Sequence, residues 1–402
     1  MSGRRVAHGA IGCVIVMMIG SATCDARQSA GSLARPLLHW GASGTNAHQI
    51  DLTGLPILHD TVFYYEHQFG RYPRFWNGVA ENGGSPHYND LAAHLAKVQS
   101  DVPKKIPDPA WSGFACIDFE SWHPVWDLSP RAFRDAAVQQ VKNEQPNLSA
   151  ELALSLAKSR HEIAAKEFLL RTIEACKALR PKARWGFFNM PASTHQGYVS
   201  QTAWLWEGST AFFPAVSVDN MTVNHTSPGP GQTTIWMYRL HVDLGVGLAK
   251  SVGPGKPVIG VGWLRYPDFN PVYAFQFLTP TDVREMLQRP RAAGADGIIL
   301  WDFINTASLV APYSSFVQST VRPAVDLLVS QDPLWRFIPG DANDDQSVDY
   351  HDLMSVLSAW ATDYRPTTGT GYGDASRNGI VDFGDVFSVT MNLGAGNSRT
   401  VP

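Results

Sequence analysis

The sequence predicts an α/β protein: a TIM-like (β/α) barrel followed by a small all-α C-terminal domain. Two observations carry this. Between residues 51 and 330, short apolar runs alternate with helical patterns. After Leu328 that alternation stops, and two similar oxygen-rich segments follow, beginning at Gly340 and Gly373.

The chain has 402 residues, room for one large domain and a small one. Arg4 and Arg5, the apolar stretch Ala10 to Gly20 and the small residues Gly20-Ser21-Ala22 read as a signal peptide over 1–24. That apolar run is too short to span a bilayer, so the expectation is a secreted or cell-surface protein with no membrane span. Cys24 lacks the Leu three residues earlier that lipid attachment requires. Residues 25–50 are small and polar and read as a flexible lead-in.

The barrel is expected over 51–330. Its strand candidates are Thr61-Val62-Phe63-Tyr64-Tyr65, Gly113-Phe114-Ala115-Cys116-Ile117, Ala183-Arg184-Trp185-Gly186-Phe187-Phe188, Pro257-Val258-Ile259-Gly260-Val261 and Gly297-Ile298-Ile299-Leu300-Trp301. Near-continuous apolar strands are buried on both faces, as in parallel sheets. Helix candidates lie between them at 90–99, 150–179, 236–250 and 281–293. In such barrels the chemistry sits at the C-terminal strand ends. Cys116 and Cys176 are expected as free buried thiols in preference to a disulfide.

Composition excludes some partners. A net charge of −4 gives no nucleic-acid footprint and no long-range steering of a polyanion. Thirteen Trp suit a sugar site, because apolar pyranose faces stack on flat rings, although core packing accounts equally well for any single one.

Asp118 and Glu120 follow an apolar run with one residue between them. In an extended strand that spacing puts both carboxylates on one face and Phe119 on the other. Two close carboxylates cannot both ionise cheaply, so one becomes a general acid at neutral pH. Alone, a D-x-E on a strand is more often a solvated or ion-paired feature.

The surrounding segments add a resemblance. Asp118-Phe119-Glu120-Ser121-Trp122 resembles the catalytic segment of the hyaluronidase family of glycoside hydrolases, over roughly residues 55–328. Asn82-Gly83-Gly84-Ser85-Pro86 with Leu91 and His94-Leu95, Ile106-Pro107-Asp108, Leu179-Arg180-Pro181 before Trp185-Gly186, Trp204-Leu205-Trp206-Glu207, and Gly294-Ala295-Asp296-Gly297 ending in Trp301 match in order and spacing. The resemblance implies a secreted, endo-acting hydrolase of N-acetylhexosaminidic bonds in a glycosaminoglycan-like polysaccharide, hyaluronan or chondroitin. It implies a retaining, substrate-assisted mechanism without a catalytic cofactor. Glu120 would protonate the leaving oxygen, and Asp118 would orient the substrate's acetamido group. Tyr65 and Trp301 would line the sugar site, with Phe188, Ser217, His123 and Trp206 as further substrate contacts. Phe188 and Ser217 stand where the family has tyrosines, and His123 where it has arginine. Asp302-Phe303-Ile304-Asn305 replaces the polar residues after the final Trp. These departures leave two other readings open: a glycan-binding barrel with little turnover, or a hydrolase of another N-acetylhexosamine polymer.

After a linker at 331–339, residues 340–397 contain two loops in calcium-ligand register. In the first, Asp341, Asn343, Asp345, Ser347 (through its carbonyl), Asp349 and Asp352 supply oxygens. In the second, Asp374, Ser376, Asn378, Ile380 (carbonyl), Asp382 and Asp385 do so. Hard oxygen donors at these intervals suit Ca²⁺ and predict two structural sites. Each loop runs into a helix, Leu353 to Trp360 and Val386 to Leu393, and the pair is similar to dockerin repeats. That resemblance implies a small all-α calcium-binding C-terminal domain and a cohesin-like protein partner; a calcium-stabilised cap is the alternative.

Overall fold

A computed structural model of the chain describes residues 37–218, 235–270, 273–330, 348, 350–360, 383–391 and 393. The expected signal peptide, the linker and most of both calcium loops lie outside these residues.

The first described element corrects the expected lead-in. Leu37–Trp40 is strand β1, paired in parallel with β2 (Ile57–Leu58) on one side and with the last barrel strand on the other. Then come β3 (Thr61–Tyr65), the hairpin β4 (Arg74–Trp76) and β5 (Val79–Glu81), α1 (Leu91–Lys105) and β6 (Phe114–Asp118). Two helices follow, α2 (Arg131–Glu144) and α3 (Ala150–Leu179), leading to β7 (Arg184–Phe187) and α4 (Ala203–Gly208). The rest of the barrel is α5 (Ile235–Val252), β8 (Ile259–Trp263), α6 (Pro280–Ala292), β9 (Gly297–Trp301), α7 (Val310–Phe316) and α8 (Arg322–Ser330).

Local chemistry sets the helix starts. Asp90 accepts from the Ala93 N–H at the head of α1, and Ser149 from Leu152 at the head of α3. Thr279 caps α6, with Pro280 at its first position.

The strands form two parallel sheets, β2-β1-β9-β8 and β3-β6-β7. Residues 212–215 join them through parallel bridges, Phe188 to Phe213 on one side and Phe212 to Val258 and Ala215 to Val261 on the other. Gly186 is required there, because a Cβ would strike the Ala211 carbonyl. On the opposite side, the Ser43 hydroxyl meets the Tyr65 phenol at 2.6 Å and closes the gap between β1 and β3.

Side chains alternate between two cores. Phe63, Tyr65, Phe114, Cys116, Phe213, Ile259, Val261 and Ile299 fill the barrel. Their strand neighbours Tyr64, Ala115, Ile117, Trp185, Ile298 and Leu300 pack outward under the helices. That double burial is why the strands carry no polar alternation. Cys116 and Cys176 are buried free thiols.

Farther along, α9 (Tyr350–Trp360) and α10 (Phe383–Met391) contribute to a separate small cluster of Val348, Val356 and Val389. Among the described residues, no helix is long and apolar enough to cross a membrane.

Candidate active site

β3 and β6 run in register, with Tyr65 opposite Asp118 at their C-terminal ends. Phe119 turns outward under the helices, against Tyr72, Phe69 and Phe168. Asp118 and Glu120 therefore share the opposite face, as their spacing predicts. Trp122 stacks on Tyr72 at 5.1 Å and donates through Nε1 to the Pro73 carbonyl at 2.7 Å, which fixes the chain just beyond Glu120.

The two carboxyls share a hydrogen bond. Burial, then the charges of Glu120 and Glu66, push Asp118 well above the usual carboxylate range. Glu120 stays open to solvent, yet the surrounding protein and the Glu66 carboxylate raise it too. The pair thus holds one proton at pH values where isolated carboxylates hold none. Asp118 Oδ1 is buried and has no partner.

Tyr65 forms the wall beside Asp118. Its hydroxyl accepts from Trp301 Nε1 at 2.8 Å. Burial keeps the phenol above its ordinary range, so it remains neutral. Trp301 stands against Trp263 at 5.2 Å in an edge-to-face contact. Phe188 donates its backbone N–H to the Ile117 carbonyl and packs against the barrel-filling cluster. Ser217 Oγ accepts from the Trp263 N–H at 3.1 Å, so it anchors the end of β8.

Two expected contacts are corrected. Trp206 is 2% exposed, its Nε1 donates to the Val199 carbonyl, and its ring packs against Phe212. It belongs to the helix-facing core, because the turn of α4 points it inward. His123 is 7% exposed and lies behind the catalytic segment. Its Nδ1 accepts from the Val125 N–H, while its carbonyl accepts from Ser129 Oγ and pairs with His161 Nε2. It holds the loop in place and presents no cation to a substrate.

The sequence reading missed Glu66. Its Oε2 accepts from the Glu120 N–H at 3.2 Å and the Ser121 N–H at 3.0 Å, and Ser121 Oγ donates to both its oxygens. Arg74 Nη1 donates to Glu66 Oε1 at 2.9 Å and its Nε to Glu81 Oε2 at 2.7 Å. The turn Asn77-Gly78, with φ of 50° and 78°, was the available signal for the hairpin that carries Arg74 and Glu81.

Of the proposed calcium ligands, Asp352 and Asp385 fall on α9 and α10, but their side chains lie outside the description. Asp341, Asn343, Asp345, Ser347, Asp349, Asp374, Ser376, Asn378, Ile380 and Asp382 lie outside the described residues altogether. Among the described residues, no cluster of three or more His, Cys, Asp or Glu is placed to hold a metal.

The family described as Hyaluronidase matches residues 57–325. A hyaluronidase of Crotalus adamanteus is 30% identical over 290 residues, covering 66% of this chain and 61% of that protein. Hyaluronidase-1 of Homo sapiens is 27% identical, covering 60% of this chain and 58% of its own. The chain thus spans about three fifths of the length of these relatives. The crystal structure of bee venom hyaluronidase superposes with a TM-score of 0.60 at 23% identity, covering 72% of this chain and 99% of that one. The same enzyme in complex with a hyaluronic acid tetramer gives 0.59 at 22% identity, covering 72% and 98%.

Proposed function

The chain belongs to the hyaluronidase family, and from that premise we propose that it is a secreted endo-acting hydrolase of N-acetylhexosaminidic bonds in hyaluronan or chondroitin. The observation that carries the reading is the Asp118–Glu120 pair on one strand face, both carboxyls raised by their burial and by neighbouring charge, with one unpartnered buried oxygen on Asp118. Asp118 Oδ1 accepts the acetamido N–H of the bound sugar. That bond favours the ionised form of Asp118 and leaves the proton on Glu120. Glu120, the solvent-facing member, donates it to the leaving glycosidic oxygen. The acetamido carbonyl oxygen attacks the anomeric carbon, and the Asp118 charge offsets the cation that forms. Glu120 then takes a proton from water, whose oxygen opens the cyclic intermediate with net retention. Both carboxylates can share one strand face because neither has to reach the far side of the ring. Tyr65 and Trp301 wall the acetamido pocket.

A solved neighbour in complex with a hyaluronic acid tetramer supports hyaluronan as the first substrate to test. One observation favours an uncharged N-acetylhexosamine polymer instead. Arg74 is taken up by Glu66 and Glu81, Arg265 by Asp302, and His123 is buried.

Reducing-end release from hyaluronan, chondroitin and chitin oligomers tests the assignment. Wild type should cut at least one, and Glu120→Gln should lower kcat by about 10³-fold, since general acid catalysis contributes on that order. Release from none, or equal release by Glu120→Gln, refutes it; binding without release would mark a glycan-binding barrel.

Residues 340–397 are read as a dockerin-like module holding two Ca²⁺ ions, with a cohesin-like partner. The register of Asp341, Asn343, Asp345, Asp349 and Asp352, repeated at Asp374, Ser376, Asn378, Asp382 and Asp385, supports this. So does the small core shared by α9 and α10.

A further inference from the structure

We propose that Glu66 is a positioning residue that clamps the catalytic tetrapeptide Asp118–Ser121 from both sides and is itself locked by Arg74 of the β4–β5 hairpin. The reading rests on Glu120 as the acid. Glu66 donates its backbone N–H to the Asp118 carbonyl at 3.0 Å. Its carboxylate, one residue beyond the end of β3, receives the Glu120 N–H, the Ser121 N–H and the Ser121 hydroxyl. One residue therefore holds the chain on both sides of the acid, its backbone before Glu120 and its side chain at and after it.

The bonds point one way. Every partner of the Glu66 carboxylate is a donor, as suits an ionised acid with acceptor capacity only. The fourth partner is Arg74, largely buried, which bridges Glu66 to Glu81 across the hairpin and lies 4.8 Å over the Trp76 ring. Arg74 and Glu81 are register partners of β4 and β5, so the hairpin presents the guanidinium in a fixed place. The clamp thus continues as a strut, from Glu81 through Arg74 to Glu66 and on to the Glu120 backbone.

This placement has an electrical effect. The ionisable groups acting with Glu120 are Asp118 beside it, Glu66 beneath it, and Tyr72 and Cys116 nearby. Of these, Glu66 alone bears a cation, Arg74, on its far side. Its charge opposes ionisation of Glu120, and Arg74 moderates that charge. Removing either member should therefore move Glu120 in opposite directions, which loss of packing alone does not do.

The experiment compares Glu66→Gln, Arg74→Gln and Ser121→Ala in the full chain, with folding verified by circular dichroism. Glu120→Gln serves as the inactive reference. Glu66→Gln is isosteric but uncharged and places an NH₂ against donors. It should lower kcat on the order of 10²-fold, as slight misplacement of a reacting group does, with KM changed less than about threefold. The alkaline limb of its pH profile should move to lower pH, and that of Arg74→Gln to higher pH. Ser121→Ala keeps the charge, so its limb stays in place while kcat falls by less. Carbon-13 NMR titration of the Glu120 carboxyl reads the same shifts without turnover. If Glu120→Gln proves as active as wild type, the assigned chemistry falls while the titration still judges Glu66. An unmoved Glu120 midpoint in Glu66→Gln, or kcat kept within about threefold, overturns the proposal.

Discussion

Acidification from pH 7 to pH 4.5 should strip the barrel of much of its stability through three histidines packed behind the catalytic segment. His123 and His195 lie 4.5 Å apart, and His161 Nε2 meets the His123 carbonyl at 2.8 Å. All three are buried. Burial, aided by His195, pushes His123 down to about 3, and burial pushes His161 and His195 down to about 4. In the unfolded chain each titrates near 6.5. The unfolded state therefore binds more protons throughout the window from about 6.5 to about 4, and stability falls as pH falls through it. At pH 4.5 each group lies roughly two units below its unfolded midpoint, a loss of about 2.7 kcal/mol apiece and about 8 kcal/mol together. That is comparable to the whole stability of a typical domain, ~5–15 kcal/mol. The raised carboxyls of Asp118 and Glu120 work in the opposite sense, relieving the folded state as they protonate. Calorimetric melts at the two pH values should differ by more than about 10 °C. His123→Asn, whose amide oxygen replaces Nδ1 as acceptor for Val125, should recover about a third of the loss. A melting point unchanged between pH 7 and 4.5 would refute the argument.

Other consequences follow from single contacts. Trp206→Ala should cost ~3–5 kcal/mol in urea unfolding while leaving KM within about twofold, since the indole fills core and touches no sugar. Tyr65→Phe leaves Trp301 Nε1 and Ser43 Oγ without their shared partner. It should lower kcat/KM about tenfold and stability by ~1–2 kcal/mol, measured by steady-state kinetics and by melting. Isothermal titration of the full chain with Ca²⁺ should show two ions bound, with Asp341→Ala and Asp374→Ala each removing one; absence of binding heat would sink the calcium assignment.

Much of the barrel was legible because its strands are buried on both sides. Thr61–Tyr65 and Gly297–Trp301 coincide with the apolar runs, and α3 matches its periodic stretch from Ala150 to Leu179. β8 lies two residues later than its apolar run suggests, a shift that keeps the same side chains facing inward. β1 was hidden because four residues, Leu37 to Trp40, carry too little periodicity to stand out from polar surroundings. At the site, Asp118 and Glu120 could be read from spacing on one strand. Glu66 could not, since its role exists only where three separate segments meet. Trp206 misled for the converse reason. A tryptophan's chemistry suits a sugar, but the side of the helix it occupies is decided by packing.

The pairing of β1 with β9 also dictates an order of events. Leu37 meets Gly297 and Trp40 meets Leu300, so the first of the described strands waits for the last of them. Contacts this distant along the chain raise the entropic barrier to folding and slow closure. Until residue 301 has left the ribosome, β1 and β8 both present open edges that invite association with other chains. Until that strand arrives the barrel stays unclosed and its chain remains threadable. The same pairing also sets a rule for truncation: a chain begun at residue 51 would lack the strand that bridges β2 to β9, and should be recovered as aggregate.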